Sequence, residues 1–567
     1  MSKTVLLDAR GNPIPKSSNL NKILASGFSS AAASLTKPVF KGWKWQGADP
    51  DSDIIQHLSI IRQRSRQLSM EAPVIAGLYK TLVTNVVGDG LRPEPTPDAE
   101  YLGMSPEDVK KWKSQVLRLW DTFAETPNCD CARRDNFYEL TRLIARAQFE
   151  SGDVFVTMPR FERRNTPLHL KIQVVEADCV STPEGRERLE HEALGNDVLG
   201  GVEISEWGHV VGYWFYTGPH PNATYRRNYA HNNNSNRPRW IYIPAYGAET
   251  GLPNVLHLME TIRPGQRRGI PLIAPVVELA LTLDRYMKAE AIAAQIQALF
   301  TVAIKSDNPD VLAGELENLE QSREEYYSEN EIDLGNGTIQ FLRPGDDIVP
   351  INPSRPTTAF QHFINTNIGL IGPTVGIPYE FLIQQWQASY SASKAAGNAA
   401  NANFKVIRKG LTHDFNDPVY EAFMDEAVAR GMLYAPGYFD DPIARRAYSR
   451  RKWNGPGMAQ IDFLKEVQGY ERCQVLGYMT ASQATSELNG GDWNENVSVR
   501  AEEIKAAQEA GIPIAAAIGM TNTAKEIDTA EAAGGQTGTP VAAELIEGFI
   551  DAVDRLQMMN QGGLLAR

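Results

Sequence analysis

Cysteine is scarce in this chain: Cys129, Cys131, Cys179 and Cys473 are the only four in 567 residues. One Cys-x-Cys pair without a second at matching spacing does not build a tetrahedral zinc site, and so few thiols cannot staple a disulfide scaffold. Reduced, packed thiols and no metal are the expectation. Long apolar runs are also missing. The best candidate, residues 270–283, is interrupted by Glu278 and falls short of the roughly 18 apolar residues of a membrane span. The opening MSKTVLLDAR lacks the continuous apolar centre of a secretion signal, so a protein with no membrane partner, held in the cytoplasm of the producing cell, is expected.

Catalytic and phosphate-cradling signatures are equally sparse. No Gly-x-x-x-x-Gly-Lys-Ser/Thr occurs, and the nine histidines include no His-Glu-x-x-His. ATP hydrolysis, a metal and a resident cofactor are therefore not expected. Isolated histidines such as His257 and His362 read as packed or surface residues. Positive charge is in deficit, with a net charge of -13, which argues against a broad basic face gripping duplex DNA, because such affinity comes from neutralised phosphates.

What is present is a long chain of ordinary globular composition, 42% hydrophobic and 22% charged, long enough for several domains. The first 45 or so residues mix Gly, Pro, Ser and Ala without a period and read as a flexible arm. Residues 54–87 show helical spacing broken at Ala72-Pro73, and the GDGLRP run at 88–93 stops the second helix. Ser105-Pro-Glu-Asp108 is a helix start, and the helix it opens carries Trp112, Val116, Leu119, Trp120 and Phe123 on one face. Another helix is expected over 136–149, turning at Ser151-Gly-Asp153 into a strand at 154–157. Alternation near 170–175, 201–205, 210–216 and 240–243 predicts an antiparallel sheet, and thus an α+β domain. Residues 221–239, rich in Asn, Arg and Tyr, read as a long exposed loop.

A long helix is predicted over 271–298, with Val276, Leu279, Ala280, Leu283, Tyr286 and Met287 on one face and Pro275 in its first turn. Strand-like residues 300–304 and 338–342 then bracket an acidic middle. Over residues 272–360 fifteen acids oppose six bases, a net of -9. Helices are expected from Thr357 to about Gly372 and from Ser391 toward Arg430. Past Gly511 the chain is Ala- and Gly-rich, with one amphipathic stretch at 541–558.

Two short motifs invite an enzymatic reading. Tyr390-Ser-Ala-Ser-Lys394 has the Tyr-x-x-x-Lys spacing of short-chain dehydrogenases, and Ser391 with Lys394 has the Ser-x-x-Lys spacing of serine β-lactamases. Neither is accompanied by the Gly-rich turn or the companion motifs that such an oxidoreductase or hydrolase requires. Two basic runs, Arg263, Arg267 and Arg268, then Arg445, Arg446, Arg450, Arg451 and Lys452, fit solvated faces or inter-subunit ion pairs, with phosphate contact as the alternative.

Several segments resemble the lambda family of phage portal proteins. They are RQRSRQLSMEAPVIAGLYKTLVTNVVGDGLRP at 62–93, Trp120 to Phe123 with Cys129-Asp130, Ser151-Gly-Asp-Val-Phe-Val156, Gly201-Val-Glu-Ile and Gly212-Tyr-Trp-Phe215. His257-Leu-Met-Glu, Arg263-Pro-Gly-Gln-Arg-Arg-Gly-Ile-Pro271, Pro344-Gly345, Pro378-Tyr-Glu-Phe-Leu382, Tyr390-Ser-Ala-Ser-Lys-Ala-Ala396 and WNGPGMAQIDFLKEVQ at 453–468 continue the series. Order and spacing hold from about residue 45 to 510; the loop at 221–239 and the tail after 511 match nothing in the family.

The resemblance implies an α+β, multidomain portal fold assembled as a dodecameric ring at one capsid vertex of the virion, after assembly in the host cytoplasm. Its implied parts are an arm at 1–45, a wing at 46–270, a first stem helix at 271–298, a clip at 299–356 and a second stem helix at 357–377. A tunnel loop and wing-spanning helix at 378–450, a crown at 451–510 and a tail at 511–567 complete it. Double-stranded DNA would pass through the channel, with Gln384, Gln385, Trp386 and Gln387 facing it. The implied protein partners are the terminase large subunit, the capsid protein and the neck and tail connectors. The implied role is structural, not enzymatic; the alternatives are an oxidoreductase or hydrolase using Tyr390, Ser391 and Lys394, and a soluble scaffold or adaptor without a channel.

Overall fold

Prolines and short polar side chains set where the helices begin. The computed structural model describes residues 47–183, 195–217, 240–299, 303–306, 346–349, 359–386, 389–457, 463–489, 491 and 493–510. Helix α1 (Pro50–Glu71) starts with Pro50 in its first turn and Asp49 accepting from the Ser52 amide at 3.1 Å. It stops because Pro73 disfavours helical backbone at Ala72, which is extended. Helix α2 (Pro73–Val86) follows, and the chain then forms strand β1 (Arg92–Pro95) and a single helical turn, α3 (Ala99–Leu102). Reciprocal capping boxes open α4 (Pro106–Ala124), through Ser105 and Asp108, and α5 (Phe137–Ser151), through Asn136 and Glu139.

The sheet expected from alternation is two sheets. Strand β2 (Asp153–Thr157) lies between β3 (Gln173–Glu176) and β8 (Val255–Met259), antiparallel to both. A separate antiparallel sheet runs in order β4 (Asp197–Leu199), β5 (Val202–Ile204), β6 (Val210–Tyr216), β7 (Trp240–Pro244). Strand β2 is buried on both faces, and its alternation divides two cores. Val154 and Val156 point into the main helical core, while Phe155 joins Val180, Val202, Tyr213 and Phe215 against the second sheet.

After a 3-10 turn at Ala274–Val276 comes the long helix α6 (Val277–Leu299). It begins at Val277 and not at Pro271, because the Leu272 amide donates to the Phe149 carbonyl at 3.0 Å and so ties this stretch to the end of α5. Val276, Ala280 and Leu283 of the predicted face are buried. Strands β9 (Ala303–Ser306) and β10 (Asp346–Val349) pair antiparallel, and helix α7 (Ala359–Thr374) packs on α6, with the Tyr286 ring 4.5 Å from that of Phe363.

A short helix α8 (Tyr379–Ile383) and the 22-residue α9 (Tyr390–Leu411) follow. The expected continuation toward Arg430 is interrupted by a π turn at Thr412–Asn416 before α10 (Asp417–Ala429). Pro418 accounts for the bulge: it has no amide to donate, and its ring crowds the carbonyl four residues back. Helix α11 (Pro442–Tyr448) leads into β11 (Arg451–Asn454), which pairs with β1. The core centre is aromatic: the Trp120 ring meets Phe137 at 4.9 Å, Phe423 at 5.1 Å and Trp453 at 5.9 Å, joining α4, α5, α10 and β11.

The chain divides into two units, 1–458 and 459–567. Residues 451–454, expected at the start of a crown, therefore belong to the first unit through their pairing with β1. The second unit contains helices α12 (Phe463–Val475), α13 (Ala481–Asn489) and α14 (Trp493–Glu509). The arm at 1–45, the loop at 221–239, the expected strand at 338–342, the acidic middle of the clip, Gln387 and the tail from 511 lie outside the described residues.

Candidate functional site

Among the described residues, one dense cluster of charged side chains is buried. Asp153, at the first position of β2, is fully inaccessible and accepts from Arg268 Nε at 2.6 Å, His257 Nε2 at 3.2 Å and the Gly269 amide at 3.2 Å; its other oxygen takes the Arg62 Nη2. Burial alone would raise this carboxyl, but the Arg268 and Arg62 guanidiniums with the His257 bond hold it far below the usual range. Burial pushes Arg62 down to about 10 and lowers His257 as well, against the pull of Asp153. Arg62 also donates to the Ser151 carbonyl at 2.8 Å, and Arg66 pairs with Asp178.

Every element of this cluster comes from a different part of the chain: Arg62 and Arg66 from α1, Asp153 from β2, His257 from β8, Arg268 and Gly269 from the segment leading to α6. Gly152 and Gly269 pack backbone to backbone, and a Cβ on either would overlap the other's main chain. The cluster therefore fixes the first unit's sheet and α1 to the root of its longest helix.

This placement corrects one candidate. Arg268 is 3% exposed, and all five of its N–H donors are used within the chain, by Asp153 and the carbonyls of Ala177, Val180 and Gly200. It has no donor left for phosphate or a neighbouring subunit. A run of arginines looks the same in sequence whether solvated or buried. Arg267 pairs with Asp51 at 2.8 Å and Asp197. Arg263, more exposed, pairs with Asp53 at 2.6 Å and donates to the Ala48 carbonyl at 2.9 Å.

Arg445, Arg446, Arg450 and Arg451 of the second basic run line an open cleft of about 830 Å³ with Asp98, Tyr101, Asp417, Glu421 and Ile443. Arg451 is held by Asp417 at 2.6 Å and Glu421 at 3.0 Å, and Arg445 clamps Asp425 through two bonds of 2.8 and 2.9 Å. Arg450 pairs with Asp98 at 3.5 Å, and both side chains are exposed. Arg446 and Lys452 are exposed.

Between α8 and α9 lie the candidate tunnel residues. Gln384 closes α8 in left-handed backbone, φ 53°, and both it and Gln385 are exposed. Trp386 is 52% exposed, with its ring edge-on to Phe381 at 5.0 Å, so the indole is no core residue. Helix α9 is tied down at its far end by Arg408, which donates to the Val86 and Asn85 carbonyls at 2.8 Å each and to Pro456 at 3.1 Å, capping the end of α2.

Ser391 and Lys394 occupy the first turns of α9, Ser391 exposed and Lys394 half-buried. Burial raises the thiols of Cys129 to about 12 and Cys179 to about 11, the opposite of a nucleophilic cysteine. No described helix is long and apolar enough to cross a membrane.

Comparison with known proteins accounts for this architecture. The family model described as phage portal protein, lambda family, matches residues 36–408. The chain belongs to the lambda family of phage portal proteins, a structural family with an α+β portal fold. It is similar to the portal protein of Escherichia phage N15, 24% identical over 83% of this chain and 89% of that protein. Portal protein B of Escherichia phage lambda is 22% identical over 83% and 88%. A chain from the virion of a native gene transfer agent particle is 13% identical with a TM-score of 0.40, covering 76% of this chain and 93% of that one.

Proposed function

We propose that this portal protein assembles as a dodecameric ring at one capsid vertex and forms the channel through which double-stranded DNA is packaged and later ejected. The single observation that carries the reading is the family match across residues 36–408. The convergence of Arg62, Asp153, His257 and Arg268 adds physical support, since dispersed resemblance segments become one buried joint. In this reading residues 46–270 are the wing, α6 and α7 the stem, the acidic segment between them the clip, and the helices of the second unit up to residue 510 belong to the crown. Gln384, Gln385, Trp386 and Gln387 face the DNA, and the chain is not an enzyme: the terminase large subunit supplies ATP hydrolysis.

The terminase docks during packaging, and neck and tail proteins replace it; the ring forms in the host cytoplasm, meets the capsid protein and stays in the virion. An overall charge of -13 suits a wall past which a duplex slides. Negative-stain imaging of the purified full-length protein tests this directly. Rings with a central hole are expected; monomers or small dimers under assembly conditions refute the channel.

A further inference from the structure

The tip of the β5–β6 hairpin presents a tryptophan to solvent. Trp207 is 87% exposed, and Glu206 beside it is exposed too. The tip is rigid: the Gly208 amide donates to the Ser205 carbonyl at 2.8 Å, the Ser205 amide to the His209 carbonyl at 2.9 Å, and the Ser205 hydroxyl meets His209 Nδ1 at 2.6 Å. Gly208, at φ 81°, supplies the left-handed step that closes the turn. An indole held out on an ordered hairpin gains nothing for the isolated subunit, and truncations at interfaces cost most at Trp, Tyr and Arg.

The first unit also carries a receptacle. The 830 Å³ cleft is mostly polar, but Ile443, 61% exposed, and Tyr101, 50% exposed, offer apolar surface beside Arg446 and Arg450. The walls are locked by the Arg445–Asp425 and Arg451–Asp417 pairs. Arg446 has no acidic partner among the described residues, and Arg450 has only the long, solvated pair with Asp98. Knob and cleft lie on different elements, and neither Glu206 nor Trp207 lines the cleft.

We propose that the Glu206-Trp207 tip of one subunit inserts into the Ile443–Arg446–Arg450 cleft of a second copy, with Trp207 against Ile443 and Tyr101 and Glu206 answering the two arginines. Each copy then offers one knob and one cleft, the head-to-tail arrangement that closes rings. The inference rests on the ring reading above and names one contact within it.

The test uses the full chain with size-exclusion chromatography, light scattering and negative-stain imaging. Trp207→Ala and Arg446→Glu each change an exposed side chain, so circular dichroism and denaturation midpoints should match wild type. Each variant alone should associate at least about 30-fold more weakly. A 1:1 mixture should stop at a dimer, because one intact contact remains and both free ends are dead. Glu206→Arg combined with Arg446→Glu should recover rings. Wild-type protein that stays monomeric sinks the ring reading; wild-type rings that persist in Trp207→Ala, or a mixture that forms no dimer, sink this contact alone.

Discussion

Asp153 accepts the Arg268 Nε–H at 2.6 Å across 115 residues of sequence, and both side chains are sealed from solvent. Two guanidiniums on one carboxylate are tolerable in the interior because Arg268 spends its remaining donors on carbonyls and Arg62 also reaches the Ser151 carbonyl and Asp178. Replacing Asp153 with Asn removes the charge and keeps the shape, leaving Arg62 and Arg268 buried without their shared counter-ion. The expected cost is about 3–5 kcal/mol, read as a lower denaturation midpoint of the full chain in urea. An unchanged midpoint would show that the cluster is not what holds sheet, α1 and α6 together.

The same cluster fixes an acid limb. Burial lowers the folded-state affinity of His257 for protons, so the unfolded chain binds more protons below the ordinary histidine range near 6.5. The stability from neutral His257 is complete above that value and is lost as pH falls toward the lowered folded one. Asp153, held far below the usual carboxylate range, contributes stability above about 3.9 that is lost only at lower pH. Wild type should therefore weaken between pH 7 and 5, and His257→Gln should flatten that slope while leaving the steeper loss below pH 4.

Two glycine substitutions should move stability in opposite directions. Gly269→Ala drives a methyl into the Gly152 backbone, and the expected result is insoluble protein or a midpoint lowered by several kcal/mol equivalents. Gly77, within α2, has nothing within 4 Å of where a Cβ would stand, and Gly77→Ala should stabilise by about 0.5–1 kcal/mol. Equal effects from the two would contradict the close backbone approach at 152 and 269.

Local signals were legible and long-range ones were not. Ser105-Pro-Glu-Asp108 announces a helix because the cap, the proline and the acid all act within one turn, and Trp112, Val116, Trp120 and Phe123 are buried as their spacing requires. Strand β1 is Arg-Pro-Glu-Pro, which no propensity would name a strand; it becomes one because Trp453 lies opposite Pro93 across 360 residues of chain. Arg267 and Arg268 read alike, yet one is surface-linked and the other sealed. The neighbouring Gly269 and the acid in Ser151-Gly-Asp153 were the available clue, since a buried cation requires a buried partner. The tip at Trp207 left no trace in any motif, because exposure belongs to the folded hairpin and not to the residue type.

Arg408 is the clasp between α9 and α2, and burial lowers its guanidinium's proton affinity, a sign of how little water reaches it. Arg408→Met keeps the aliphatic stem and removes three hydrogen bonds, so the Asn85 and Val86 carbonyls lose their cap. Charged donors of this kind contribute about 1.5–3 kcal/mol each before relaxation, and a net loss of about 2–3 kcal/mol is expected. Hydrogen exchange should speed at the last turn of α2 and along the second half of α9; exchange confined to α9 would leave the capping role unsupported.

The loop between α8 and α9 yields the prediction closest to function. Gln384 and Gln385 are exposed and Trp386 is half out of the protein, propped edge-on against Phe381. Amides exchange hydrogen bonds with water and phosphate at little net difference, so such residues guide a duplex without gripping it. Replacing Gln384, Gln385 and Gln387 together with Lys adds three positive charges per subunit, multiplied around a ring, and each bound phosphate then holds the DNA back by its released counter-ions. Rings should still form, because Gln384 and Gln385 are exposed. Packaging should slow in low salt and recover as salt is raised, since screening shortens the reach of the added charges. Packaging by the triple variant at wild-type speed in low salt would mean that these residues do not face the DNA.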